Sequence, residues 1–79
     1  MTQDRRRPAT ITLTMPPENI ALFKAIVESY DNLATLRTED PNRHHLKLYF
    51  TEESANELRE LLASLGPHFS LRIVQERYG

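Results

Sequence analysis

The sequence predicts an α+β sandwich: four antiparallel strands in one sheet, with two helices on one of its faces. Three observations predict it. Apolar residues recur with period two in four segments and at spacings of three and four in two others. The six segments run in the order β-α-β-β-α-β. Each strand then has one apolar face and each helix one apolar stripe, so two layers bury every apolar surface.

The elements follow in order. Residues 1–8, MTQDRRRP, show no period and read as a flexible basic arm. From Ala9 to Met15, the apolar Ile11, Leu13 and Met15 alternate with Thr10, Thr12 and Thr14, the pattern of a half-buried strand. Pro16 and Pro17 stop it, because proline donates nothing to a ladder and suits the first turn of a helix. A helix is predicted from Pro17 to Tyr30, with Ile20, Phe23, Ile26, Val27 and Tyr30 on one stripe and Leu22 beside it. Glu18 suits its positive end, and Asp31 and Asn32 end it.

Leu33 to Thr38 reads as the second strand, with Ala34 and Leu36 inward. Glu39-Asp40-Pro41-Asn42-Arg43 is a turn by composition, since Pro presets φ and Asp and Asn bond nearby backbone. The third strand runs from His44 to Phe50, with Leu46, Leu48 and Phe50 inward. Thr51 is placed to cap a second helix ending near Leu65, striped by Ala55, Leu58, Leu61, Leu62 and Leu65. Gly66 and Pro67 read as its stop. The last strand is predicted from Phe69 to Gln75, with Phe69, Leu71 and Ile73 inward, and residues 76–79 as a frayed end. The domain is therefore 9–75.

Right-handed crossovers and interleaved β-α-β halves give the ferredoxin-like sandwich, strand order 4-1-3-2. Its expected core is Leu13, Phe23, Ile26, Leu36, Leu48, Phe50, Leu58, Leu62, Leu71 and Ile73.

Composition removes several functions. With 79 residues and no cysteine, the chain is one domain without disulfides or thiolate metal sites. No apolar run reaches the roughly 18 residues of a membrane span, and no apolar leader follows Arg5, Arg6 and Arg7. A cytoplasmic protein without a membrane partner is expected. Adjacent residues on a strand face opposite ways, so His44 and His45 do not share an ion. No Gly-rich phosphate loop, cysteine nucleophile or Gly-flanked serine is present. No metal, cofactor or catalytic residue is expected, and the protein reads as no enzyme.

The charges are segregated. The helical stretches 16–31 and 51–65 hold Glu18, Glu28, Asp31, Glu52, Glu53, Glu57 and Glu60 against Lys24 and Arg59, a balance of −5. The remainder carries +4, which restores the net −1. With both helices on one side, the other sheet face is left open and basic. Thr12, Arg37, Lys47, Tyr49 and Arg72 on it are the candidate binding or interface residues. The expected function is a non-catalytic interaction or small-molecule-responsive regulatory module. It should self-associate through its sheet as a homodimer or take a protein partner. The alternative is an RNA or single-stranded nucleic-acid binder using the basic sheet face. A pI near 6.3 and one aromatic, Tyr49, weigh against the alternative.

The run Pro16-Pro17-Glu18-Asn19-Ile20, the helix end Tyr30-Asp31 and the strand Leu33-Ala34-Thr35-Leu36-Arg37-Thr38 carry a resemblance. Over about residues 10–75 the chain resembles a family of short bacterial proteins known only as a domain of unknown function. The resemblance implies no activity and no site residues. In topology the chain is also similar to ACT-type regulatory domains, which bind amino acids beside a Gly-containing turn after the first strand. Pro16-Pro17 stands at that turn here, so the ligand site does not carry over.

Overall fold

The computed structural model describes residues 7–40, 42 and 44–78. Six residues of the expected arm, Pro41 and Arg43 of the expected turn, and Gly79 lie outside them. The elements are β1 (Pro8–Thr14), α1 (Pro17–Glu28), β2 (Thr35–Asp40), β3 (His45–Thr51), a 3-10 turn (Glu52–Ser54), α2 (Ala55–Phe69) and β4 (Arg72–Tyr78). The sheet order is β2-β3-β1-β4, with every neighbouring pair antiparallel. This is the expected ferredoxin-like order, read from the opposite edge.

Alternation in the sequence becomes alternation in burial on the central strands. Ala9, Ile11 and Leu13 of β1 and Leu46, Leu48 and Phe50 of β3 are buried, while the residues between them are not. They meet Phe23 and Val27 of α1 and Leu58, Leu62 and Phe69 of α2 in one core, with Leu33 and Leu36 closing it. Proline leads α1 as expected, and the Pro16 carbonyl accepts the Asn19 amide at 2.9 Å. The helix stops at Glu28, before Tyr30, and the chain turns through Asn32 at φ 59°. Ahead of β3, the Asn42 amide donates to Asp40 Oδ1 at 3.1 Å, the local bond that Asp offers in turns.

Three expectations are corrected. Gly66-Pro67 does not stop α2, which runs on to Phe69. A proline ring strikes the Cβ of a preceding helical residue, and Gly66 has none, so the helix passes through. Ser70 ends it instead, left-handed at φ 53°, and both its amide and that of Leu71 donate to the Gly66 carbonyl. Phe69 is thereby a helix residue, held edge-on to Phe23 at 5.9 Å, with its carbonyl accepting Asn19 Nδ2 at 3.0 Å.

The last strand is shifted in consequence: it starts at Arg72 and includes Glu76, Arg77 and Tyr78, read above as a frayed end. Ile73 is not core. It is 47% exposed, and Leu71 and Ile26 are half-buried. Finally, Thr51 caps the 3-10 turn by position but makes no side-chain capping bond, and α2 begins at Ala55. The chain just before β1 is pinned to this turn, since the Glu52 amide donates to the Arg7 carbonyl at 3.1 Å.

Candidate binding face of the sheet

Register places the open face in rows. Thr35, Tyr49, Thr10 and Arg77 form one row across the sheet. Arg37, Lys47, Thr12 and Gln75 form the next. His45, Thr14 and Arg72 form the third, with Asp40 opposite His45. All five residues expected at a binding or interface surface therefore share this face. Sequence reading missed Gln75 because the bulge reverses the parity predicted for the strand, and Arg77 because the strand was also ended at Gln75. The alternation expected of the last strand, with Phe69, Leu71 and Ile73 inward, also puts Ser70 and Val74 on this face. Ser70 is the helix cap, and Val74 has no partner on β1, where a bulge breaks the register between Ile73 and Gln75.

The face is a shallow trough. Three threonines of β1 line its floor, half-buried between longer side chains of β3 and β4. Lys47 and Tyr49 rise on one side; Arg72, Gln75 and Arg77 rise on the other. Antiparallel geometry makes Thr10 to Thr14 about 14 Å long, and β3 to β4 about 10 Å wide. A pocket of about 520 Å³ opens at one end of it, lined by Pro8, Ala9, Thr10, Lys47, Arg77 and Tyr78.

Tyr49 stands beside the trough, 38% exposed, with cations near its ring: the Arg37 guanidinium carbon at 5.9 Å and Lys47 Nζ at 5.7 Å from the centroid. Exposed contacts of this kind are worth about 0.5–1 kcal/mol, enough to orient the side chains and too little to lock them. Lys47 also meets Glu39 at 3.9 Å. Among the described residues, Arg37, Arg72 and Arg77 have no carboxylate partner. The corner at Glu39 and Asp40 is acidic, and the β4 side is wholly cationic.

On the helix side of β4 lies a second surface. Ile73, Glu76 and Tyr78 sit opposite Leu13, Ile11 and Ala9 of β1, and so face the helices. The helices do not cover them. A cleft of about 640 Å³ separates α2 from β4, lined by Ile11, Leu62, Ala63, Gly66, Leu71 and Ile73, with Arg59 and Glu76 at its rim. One end is closed by a cluster. Arg59 Nε donates to the Tyr78 hydroxyl at 3.0 Å, Arg59 Nη2 donates to the same oxygen, and the hydroxyl donates to Glu76 Oε1 at 2.8 Å. The phenol edge-packs on Phe50 at 6.0 Å. Burial raises the Tyr78 pKa above its ordinary value, the bond to Glu76 raises it further, and Arg59 pulls the other way. The hydrogen bond to Tyr78 raises that of Arg59. Nothing in the linear sequence announced this cluster, whose members are brought together only by the β4 register.

Among the described residues, no three His, Asp or Glu side chains are grouped to hold a metal ion. No described helix is long and apolar enough to cross a membrane. No curated protein and no solved structure matches the chain. A family model does match, over residues 13–68, from the end of β1 to the last turn of α2. That span covers more than half of the chain, which therefore belongs to the family described as Domain of unknown function (DUF4911).

Proposed function

We propose that the protein is a cytoplasmic, non-catalytic interaction module that self-associates through the surface around β4. One observation carries this reading: an apolar cleft, lined by Ile73 at 47% exposure, that the protein's own helices leave uncovered. A second copy suits it. Arg59 and Glu76 at the rim pair with each other at 3.7 Å within one copy, so the rim sets no unbalanced charge against its own copy across a two-fold. Stacking of two open faces would instead oppose Arg37, Lys47, Arg72 and Arg77 with their own copies. A continuous ladder across β4 is disfavoured too, because the bulge at Val74 bends that edge. The dimer therefore packs side chains into the cleft rather than extending the sheet.

Such an interface must bury more than about 1,000 Å² to be specific, and it makes stability depend on concentration. Light scattering across a dilution series tests it. A mass that falls toward 9.2 kDa on dilution supports the dimer, and a constant 9.2 kDa at high concentration disposes of it. Ile73→Lys should give the monomer while the circular dichroism is unchanged.

A further inference from the structure

We propose that the open sheet face binds single-stranded nucleic acid along the β1 trough, with a base on Tyr49 and the phosphates on Lys47, Arg77 and Arg72. The site is complete within one copy and does not rest on the self-association proposed above.

Four features of the face converge on that ligand. The trough is flanked by cations on both long sides, Lys47 on β3 and Arg72 and Arg77 on β4, and the two arginines have no carboxylate partner among the described residues. A polyanion that runs between Lys47 on one side and two arginines on the other is neutralised from both sides, which a single carboxylate or phosphate does not need. The floor is small and polar: Thr10, Thr12 and Thr14 let a backbone approach closely and offer hydroxyls to phosphate or base edges. The pocket over Thr10 places Lys47 and Arg77 around one concavity of about 520 Å³, room for one phosphate and its sugar.

Tyr49 supplies the fourth feature. It is directly opposite Thr10 in the β1–β3 register, so it shares a row with that pocket, while its side chain lines the neighbouring hollow toward Thr35 and Leu36 of β2. A base laid on the ring displaces a cation from it, and stacking is worth more than the exposed cation contact it replaces. The released Lys47 or Arg37 then reaches a phosphate. A duplex is too wide for a trough of about 10 Å between strand axes and hides its base faces, whereas a single strand exposes them. The acidic helix layer faces away, and the Glu39–Asp40 corner keeps the strand toward β1 and β4. An acidic protein segment meets the same cations but gains nothing from the ring.

The test is fluorescence anisotropy with a labelled oligouridylate about 12 nucleotides long, in a series of salt concentrations. Binding should weaken with salt at a log-log slope of about −2, about −0.7 for each of three phosphates. Arg77→Gln should weaken binding and reduce the slope by about 0.7. Tyr49→Ala should cost about tenfold in affinity, and Tyr49→Phe should restore it, since the ring and not the hydroxyl stacks. Each residue is exposed or half-buried, and circular dichroism with an unfolding midpoint checks that each variant is folded. Absence of binding at low salt overturns the proposal. So does binding that ignores both Arg77→Gln and Tyr49→Ala. A labelled oligoglutamate that binds as tightly as the oligouridylate, regardless of Tyr49→Ala, overturns it in favour of an acidic protein partner. Ile73→Lys, the variant that tests self-association, must retain nucleic-acid binding; its loss there would overturn a site built within one copy.

Discussion

β1 and β4 are neighbours in the same sheet, alternate apolar and polar residues over part of their length, and end up in opposite environments. Every second residue of β1 is buried, and every residue of β4 is exposed. The difference is position. α2 lies over β1 and β3 through Leu58 and Leu62, and the sheet extends one strand beyond its reach. Period two therefore reports which residues share a face and says nothing about whether that face is covered. In this molecule the uncovered strand is where unspent surface collects: apolar on the helix side, cationic on the other.

The comparison predicts that equal truncations have unequal costs. Leu58→Ala, at a fully buried position, should destabilise by about 2–5 kcal/mol in urea unfolding. Ile73→Ala should cost below about 1 kcal/mol in dilute protein, because its side chain is half in water already. A cost at Ile73 that grows with protein concentration would show that a second copy covers it.

The same contrast is found at the end of α2, where the two environments meet. Phe69→Ala removes the ring that packs on Phe23 and should cost about 3–5 kcal/mol. Asn19→Ala leaves the ring in place but strips the Phe69 carbonyl of its partner, for about 1 kcal/mol. The two losses should not add, since they share one anchor, and a double-mutant cycle by chemical denaturation measures the coupling. Ser70→Gly runs the other way. Its left-handed φ of 53° strains any residue with a Cβ, so glycine should stabilise by about 0.5 kcal/mol.

How much of this was visible in the linear chain follows from the same contrast. Strands and amphipathic helices are written in local periods, and β1, α1, β2 and β3 were placed within about two residues, whereas α2 starts and ends later than expected, at Ala55 and Phe69. The sheet order followed because few arrangements bury six one-sided elements. The five candidate residues shared one face as expected, because parity along a strand is local. What escaped was set by nonlocal contacts or by an exception to a local rule. The helix ran through Gly66-Pro67 because Gly66 has no Cβ to meet the following ring. That moved β4 toward the C-terminus, and the bulge at Val74 reversed the alternation beyond it, which put Gln75 and Arg77 on the open face. The Arg59–Tyr78–Glu76 cluster joins residues 19 apart and had no local signal at all.

The smallest effect belongs to that cluster, which ties the uncovered strand back to α2. Burial and Glu76 raise the Tyr78 pKa in the folded chain above its ordinary 10.0, so the fold holds the phenol proton more tightly than the unfolded chain does. The stabilisation is therefore complete below about pH 10 and is lost as pH rises through the raised folded value. Deprotonation costs the O–H donated to Glu76 and sets two negative charges side by side, while the attraction to Arg59 offsets part of the loss. Phenolate absorbance gives the direct check. The difference between the titration of the wild type and that of Tyr78→Phe isolates this one phenol and should show it ionising above pH 10. Unfolding midpoints give the second check. Tyr78→Phe should be slightly less stable than the wild type at about pH 9, and the gap should close as the pH rises through the raised folded value. A gap that widens with pH would mean that the anchor between β4 and α2 is the phenolate–Arg59 pair and not the neutral hydroxyl.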